Sequence, residues 1–238
     1  MVIPLKSPWR MRALSSESER SKMVMNKWMW HLFGTVLALL IALPAPVLAA
    51  DEAPDAMIAR LTQEALDILR TDAKIQEGDM AYIMKLVDQK VMPHVDFQRM
   101  TASAVGPAWR RATPEQRARL ESEFKTLLVR TYAGALGQAK DLKFEMRPLR
   151  ASASDQEVVV RSVIKGRGDP IQLDYRLEKT PGQGTGWKIY NLNVLGVWLV
   201  DTYRSQFAQE INASGIDGLI NTLAKRNKAN AADDKAKT

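Results

Sequence analysis

No cysteine occurs anywhere in the chain. Disulfides, thiolate zinc sites and cysteine nucleophiles are therefore excluded, and stability has to come from packing. Histidine is almost as scarce. Only His31 and His94 are present, too few for a multi-histidine metal centre. No G-x-S-x-G nucleophile turn and no G-x-x-x-x-G-K-[ST] phosphate loop occurs; Gly182, Gly184 and Gly186 read as a hairpin turn instead. No apolar run reaches the roughly 20 residues of a membrane span. The longest, Leu32–Leu43, is followed by Pro44 and Pro46 and preceded by Lys22 and Lys27. That is the pattern of a secretory signal, with Val47-Leu48-Ala49 supplying small residues for cleavage after Ala49. Met23 or Met25 is a plausible true start.

A strong charge of one sign is also missing once this leader is set aside. The formal net charge of +7 comes from 34 basic and 27 acidic residues. Six of the basic and two of the acidic residues precede position 50, leaving 28 and 25, or +3. A nucleic-acid partner needs a concentrated basic footprint and loses its support. The expected organisation is a signal peptide over 1–49, one domain over 50–226 and a polar, disordered tail over 227–238.

What is present is a change of texture. Met57, Ile58, Leu61, Ala65, Ile68 and Leu69 mark one apolar helix face, and Met80, Ile83, Met84, Val87 and Val91 mark a second that Pro93 stops. Asp96 reads as the cap of a short helix closed by Gly106-Pro107. Thr113-Pro114-Glu115-Gln116 is a capping box with proline at the first helical position, opening a helix that runs to about Ala139. The period then changes from 3.6 to 2. Segments 143–150, 158–164, 171–177 and 187–195 read as four strands, the third alternating Ile171, Leu173, Tyr175 and Leu177 with polar residues. Short connections imply an antiparallel meander. Gly196 leads into a helix carrying Leu199, Val200, Tyr203, Phe207 and Ile211; Gly215 ends it, and Asp217 opens a last helix. The fold class is α+β, with one sheet face covered by helices.

The acidic residues carry no specific spacing. Asp174 and Glu178 flank Arg176 on what reads as a solvated sheet face, and His94 reads as a capping or surface residue. Arg110-Arg111 and Arg117-Arg119 form a basic segment suited to anionic headgroups or an acidic partner. Tyr132, Tyr175, Trp187, Trp198, Tyr203 and Phe207 face inward or lie at element ends. From pattern alone they are either ordinary core or the wall of a cavity roofed by the long helix, so a carrier, an enzyme on a cone-shaped sheet and an adaptor with a filled core all stay open.

The ordered set Val91-Met92-Pro93-His94-Val95-Asp96-Phe97, Trp109–Arg117, Leu127–Ala133, Val158–Arg161, Leu173–Leu177, Gly186–Tyr190, Gly196-Val197, Tyr203–Phe207 and Gly215–Leu219 resembles the MlaC, or toluene-tolerance, family from about residue 55 to 225. The resemblance implies a soluble monomeric periplasmic carrier, not an enzyme, with no cofactor and a phospholipid as cargo. Its implied partners are an inner-membrane ABC transporter complex and an outer-membrane lipoprotein–porin complex, in the upkeep of outer-membrane lipid asymmetry. It also implies a twisted antiparallel sheet of four strands or slightly more, NTF2-like, packed on helices around an apolar cavity. On that reading Phe124, Leu128, Tyr132 and Leu136 line the helical wall, and Val160, Leu173, Tyr175 and Ile189 line the sheet. Trp198, Tyr203 and Phe207 close the far end, and Arg110 and Arg111 contact headgroup or partner. Leu195, Trp198 and Asn191 depart from the family pattern, which implies a bulkier, more apolar pocket edge. Two acyl chains of about 15 methylenes represent roughly 25 kcal/mol of exposure at ~0.8 kcal/mol per methylene. A carrier must therefore hide them, in a cavity at or above ~1,000 Å³.

Overall fold

A computed structural model describes residues 51–136, 142–152, 154–166 and 169–236, with side chains left out of account at 134–136 and 233–236. The leader and its cleavage point lie outside the described residues. Among those described, no helix is long and apolar enough to cross a membrane.

The chain begins with α1 (Pro54–Thr71), a one-turn α2 (Ala73–Gln76) and α3 (Met80–Leu86). Asp72 and Asp79 cap α2 and α3 by accepting from the backbone N–H of Lys74 and Tyr82, and the Tyr82 hydroxyl returns to Asp72 at 2.6 Å. The second apolar helix does not continue regularly to Pro93. It widens into a π-helical turn at Val87–Val91 and tightens into a 3-10 turn at Met92–His94. Proline has no N–H for the ladder, which forces this change of winding.

Helix α4 (Phe97–Val105) starts at Asp96, whose carboxylate accepts from Arg99 N–H at 2.8 Å. A 3-10 turn, Gly106–Arg111, leads to α5 (Pro114–Leu136). Its start is the capping box: Gln116 N–H donates to Thr113 Oγ1 and Thr113 N–H donates back to Gln116 Oε1. Strands β1 (Lys143–Met146), β2 (Glu157–Lys165), β3 (Ile171–Lys179), β4 (Trp187–Val194) and the two-residue β5 (Val197–Trp198) form one antiparallel sheet in sequence order. The meander expected from the short connections thus has five strands, the short β5 being the addition.

Helix α6 spans Leu199–Ala236 and is broken at Gly215, where φ is 71° and ψ −173°. Residues 227–236, read from composition as a disordered tail, continue this helix. Asn227 anchors them: it is buried, and its amide donates to the Glu123 carbonyl at 2.9 Å and carboxylate at 2.7 Å. Polar composition misled because alanine and lysine are also strong helix formers.

Two cores result. One is helical, built by α4, α5 and α6 around Phe124. The other lies between α1 and one sheet face, where Met57 and Ile58 meet Val158, Val160, Leu177 and Trp187.

The β4–β5 turn carries a strained residue. Leu195 has φ of 53° and is 63% exposed. Left-handed backbone costs a non-glycine residue roughly 1–2 kcal/mol, and asparagine tolerates it better. Leu195→Asn should therefore stabilise the fold by about 0.5–1 kcal/mol and raise the melting temperature by about 1–4 °C. An unchanged or lower melt would show that Leu195 is held there by a contact the substitution removes.

Candidate functional site

The two faces of the sheet have different fates. On one, cross-strand pairing brings together Val160 with Tyr175, Ser162 with Leu173, and Ile164 with Ile171. Near Trp187 the space between this face and α1 is filled by Met57 and Ile58. Further along α1 it opens into an apolar cavity of ≈ 380 Å³. Leu61, Ala65, Ile68 and Leu69 of α1 form one wall; Ile75, Ile83, Leu86, Val87 and Val91 form the second; Ile164, Leu173, Tyr175 and Ile189 form the floor.

Polar groups on the lining are few and mostly gathered at one place. Glu64 and Lys90 are exposed, as is the rim residue Val91, and His94 stands half-buried beside them. Arg60 shapes this mouth through a two-pronged contact with Glu52 (3.0 and 2.7 Å) and a second pairing with Glu64 at 3.2 Å. The Arg60 hydrogen bond holds the Glu52 carboxyl below its ordinary range. Deeper in, Tyr175 has its pKa pushed up by burial, opposed by hydrogen bonding to Thr62 and Ser162.

His94 has its pKa lowered, first by burial and then by the charges of Arg60 and Lys188, opposed by Glu64 and Glu52. The folded chain therefore binds this proton less tightly than the unfolded chain. The contribution is intact above the ordinary value of 6.5 and is lost as pH falls through the depressed folded value. His94 is the only histidine after position 49, so its imidazole signals in residues 50–238 are unambiguous by NMR. They should titrate with a midpoint below 6.5, and His94→Gln should flatten part of the fall in melting temperature between about pH 7 and pH 5. A midpoint above 6.5 would reverse the assigned sign.

The opposite sheet face is solvated along β1 and β2, where Glu145, Glu157, Arg161 and Lys165 are exposed, but not across β3 and β4. Asp174, Asn191 and Asn193 are buried there under the start of α6. Asn191 Oδ1 accepts from Val200 N–H at 3.2 Å and Asn193 Oδ1 from Gly196 N–H at 2.9 Å, turning the chain from strand into helix. Arg176 lies 4.0 Å from the Trp198 ring centre and pairs with Asp201 at 3.8 Å. Glu178 meets Arg99, which also reaches Glu157 at 2.6 Å and stacks 3.6 Å from the Tyr190 ring centre. Alternation identifies which residues share a face, but it does not say whether a second helix covers the polar one.

Leu173, Tyr175 and Ile189 are on the cavity floor. Val160 is adjacent but fully buried in the filled part of the core. The long helix is not the roof. Phe124 is fully buried against Phe97, Tyr203 and Phe207, with ring centres 5.7, 4.9 and 5.2 Å away, and Leu128 packs on the same helical core. Tyr132 is 37% exposed at its edge. The Leu136 side chain lies outside the described residues. Trp198 sits on the covered polar face, opposite Asn193, so Leu195, Trp198 and Asn191 do not form a cavity edge.

The helical wall is supplied instead by α1 and the α3–π-turn segment. Their apolar faces were visible in the sequence, but three amphipathic helices competed for one sheet face. At ≈ 380 Å³ the cavity is also smaller than the ~1,000 Å³ anticipated. Arg110 and Arg111 lie on the 3-10 turn after α4 and contribute nothing to the lining. Among the described residues, no group of three or more His, Asp or Glu side chains could hold a metal ion.

A family model described as MlaC protein matches residues 59–225. The toluene tolerance protein ttg2D of Pseudomonas putida is 27% identical over 201 residues, spanning 82% of this chain and 92% of that protein. The intermembrane phospholipid transport system binding protein MlaC of Haemophilus influenzae is 24% identical over 202 residues, 84% of this chain and 92% of its own. A solved structure of a phospholipid-binding protein from Ralstonia solanacearum, in complex with a phospholipid, aligns with a TM-score of 0.71 at 41% identity. The match covers 74% of this chain and 98% of that one.

Proposed function

The chain belongs to the MlaC family, and from that premise we propose that it is a periplasmic phospholipid carrier whose cavity between α1 and the sheet holds acyl chains. Secretion by the general route, with cleavage after Ala49, delivers it there. It moves lipid between an outer-membrane lipoprotein–porin complex and an inner-membrane ABC transporter, as a monomer and without a catalytic step.

The observation that supports this most is the distribution of polarity around the cavity. Its floor and walls are Leu, Ile, Val and Ala65 with only Thr62 and Tyr175 as uncharged polar groups, while Glu64, Lys90 and His94 stand at the mouth. Hydrocarbon is hidden inside and a headgroup stays in water at the rim. A wall without a charge in its depth shields the tails without holding them so well that release fails. Two chains need more room than ≈ 380 Å³, so loading widens the cavity. The wall that yields is Ala73–Val91, since it ends in a rare π-helical turn that passes into a 3-10 turn, whose hydrogen-bond geometry is poorer than that of regular helix.

Residues 50–238, purified from a bacterial periplasm without detergent, should show by native mass spectrometry a stoichiometric added mass that solvent extraction identifies as phospholipid. The stripped protein should melt lower than the loaded one. A clean apo mass together with identical melts would overturn the carrier reading in favour of a filled-core adaptor.

A further inference from the structure

A second concavity, ≈ 460 Å³, lies on the helical layer and shares no residue with the lipid cavity. It is lined by Arg99, Trp109, Arg110 and Arg204, with Ala102, Ser103, Gly106 and Pro107 between them, and holds no acidic residue. The three arginines differ in their commitments. Arg99 is already neutralised by Glu178 and Glu157. Arg110 and Arg204 are exposed and make no ion pair among the described residues. Asp201, one turn before Arg204, is engaged by Arg176.

The shape of the groove is held by backbone. Gly106 has φ of 71°, and a Cβ there would stand 3.7 Å from Arg204 Nε, so the guanidinium lies close over the bend between α4 and the 3-10 turn. On the other side, Arg117 Nε donates to the Trp109 carbonyl at 3.2 Å, and its guanidinium sits 5.3 Å from the indole centre. The turn carrying Trp109 and Arg110 is thereby pinned to the start of α5.

We propose that this groove docks an acidic, extended segment of a protein partner. Two unpaired guanidiniums offer planar forks that match carboxylates. The Trp109 ring and Pro107 give an apolar wall for the segment's other side chains, the composition found at protein recognition sites. Concavity separates this occupant from an anionic bilayer: a single chain can enter the groove, whereas a planar lipid surface touches only its rim. The inference does not depend on what the cavity holds. It assigns Arg110 to a partner and removes it from the lipid site.

The test uses fluorescein-labelled hexaglutamate and anisotropy, with residues 50–238 carrying Arg110→Glu and Arg204→Glu together. Wild type should bind the peptide, and binding should weaken as ionic strength rises from about 0.05 to 0.3 M, where screening shortens. The double variant should bind at least tenfold more weakly, while Arg147→Glu with Arg150→Glu, an equal loss of charge at exposed positions elsewhere on the surface, should change affinity less than twofold. Thermal melts and extracted lipid, read on the same samples, should be unchanged. If the reversal misfolds, Arg110→Gln with Arg204→Gln should still give a clear loss. Equal hexaglutamate binding by wild type and variants, or none by wild type, would overturn the proposal. So would loss of phosphatidylglycerol-vesicle binding in the double variant with peptide binding intact, which would assign the groove to a bilayer.

Discussion

Leu173→Glu should lower the phospholipid that co-purifies with residues 50–238 by at least tenfold while leaving the protein folded. Leu173 sits on the cavity floor near the start of β3, between Ser162 on β2 and Val194 on β4. A carboxylate there can be wetted when the cavity contains water, so the fold tolerates it. When acyl chains enter, the charge loses that water with no partner to replace it. Even the effective penalty for an unpaired buried charge is several kcal/mol, and about 1.4 kcal/mol is already tenfold in occupancy. Leu173→Met, of similar size and apolar, should keep normal lipid content. Val160→Glu is not an equivalent experiment: Val160 is fully enclosed by the filled part of the core, so that substitution should unfold the protein rather than empty it. Native masses of Leu173→Glu that still carry stoichiometric lipid would move the tails out of this cavity.

Phe124→Ala should have the largest effect on stability, about 3–5 kcal/mol, through the loss of buried ring area and the cavity left behind. Phe124 is fully buried and stands at the centre of four packed rings, with Tyr203 and Phe207 meeting it edge-on. Lipid bound per folded molecule should nevertheless stay at the wild-type level, because Phe124 lies in the helical core and not on the cavity wall. Chemical denaturation read together with lipid extraction separates the two effects. Selective loss of lipid with little change in the unfolding midpoint would restore the long helix as the cavity roof.

The contrast between these two residues shows where pattern reading stops. Both are apolar, on the inner side of their own element, and both were grouped as cavity wall. Local periodicity places a residue on a face; it carries no information about which other face it meets. For β3 this was enough, since Leu173 and Tyr175 have a single sheet face to occupy and that face is where α1 packs. For α5 it was not, because the helix could bury its stripe against the sheet or against α4 and α6. Asp174 failed for a related reason. Its alternation with Leu173 and Tyr175 correctly put it on the other face, but the start of α6 covers the β3–β4 part of that face and buries it.

By itself the sequence determined what depends on short-range chemistry. The capping box at Thr113 and Gln116, the left-handed bend at Gly215, the alternation of β3, the antiparallel order of the hairpins and the absence of metal-binding cysteines all follow from neighbouring residues and backbone sterics. The ordered motifs carried the family as well. Tertiary structure alone decided which helix faces the sheet, how much of the gap remains open, and that Arg110 and Arg204, 94 positions apart, share one groove. These are properties of long-range packing, where several amphipathic surfaces of similar apolar area compete. The outcome depends on which combination fills space best, a quantity that no local window of residues contains.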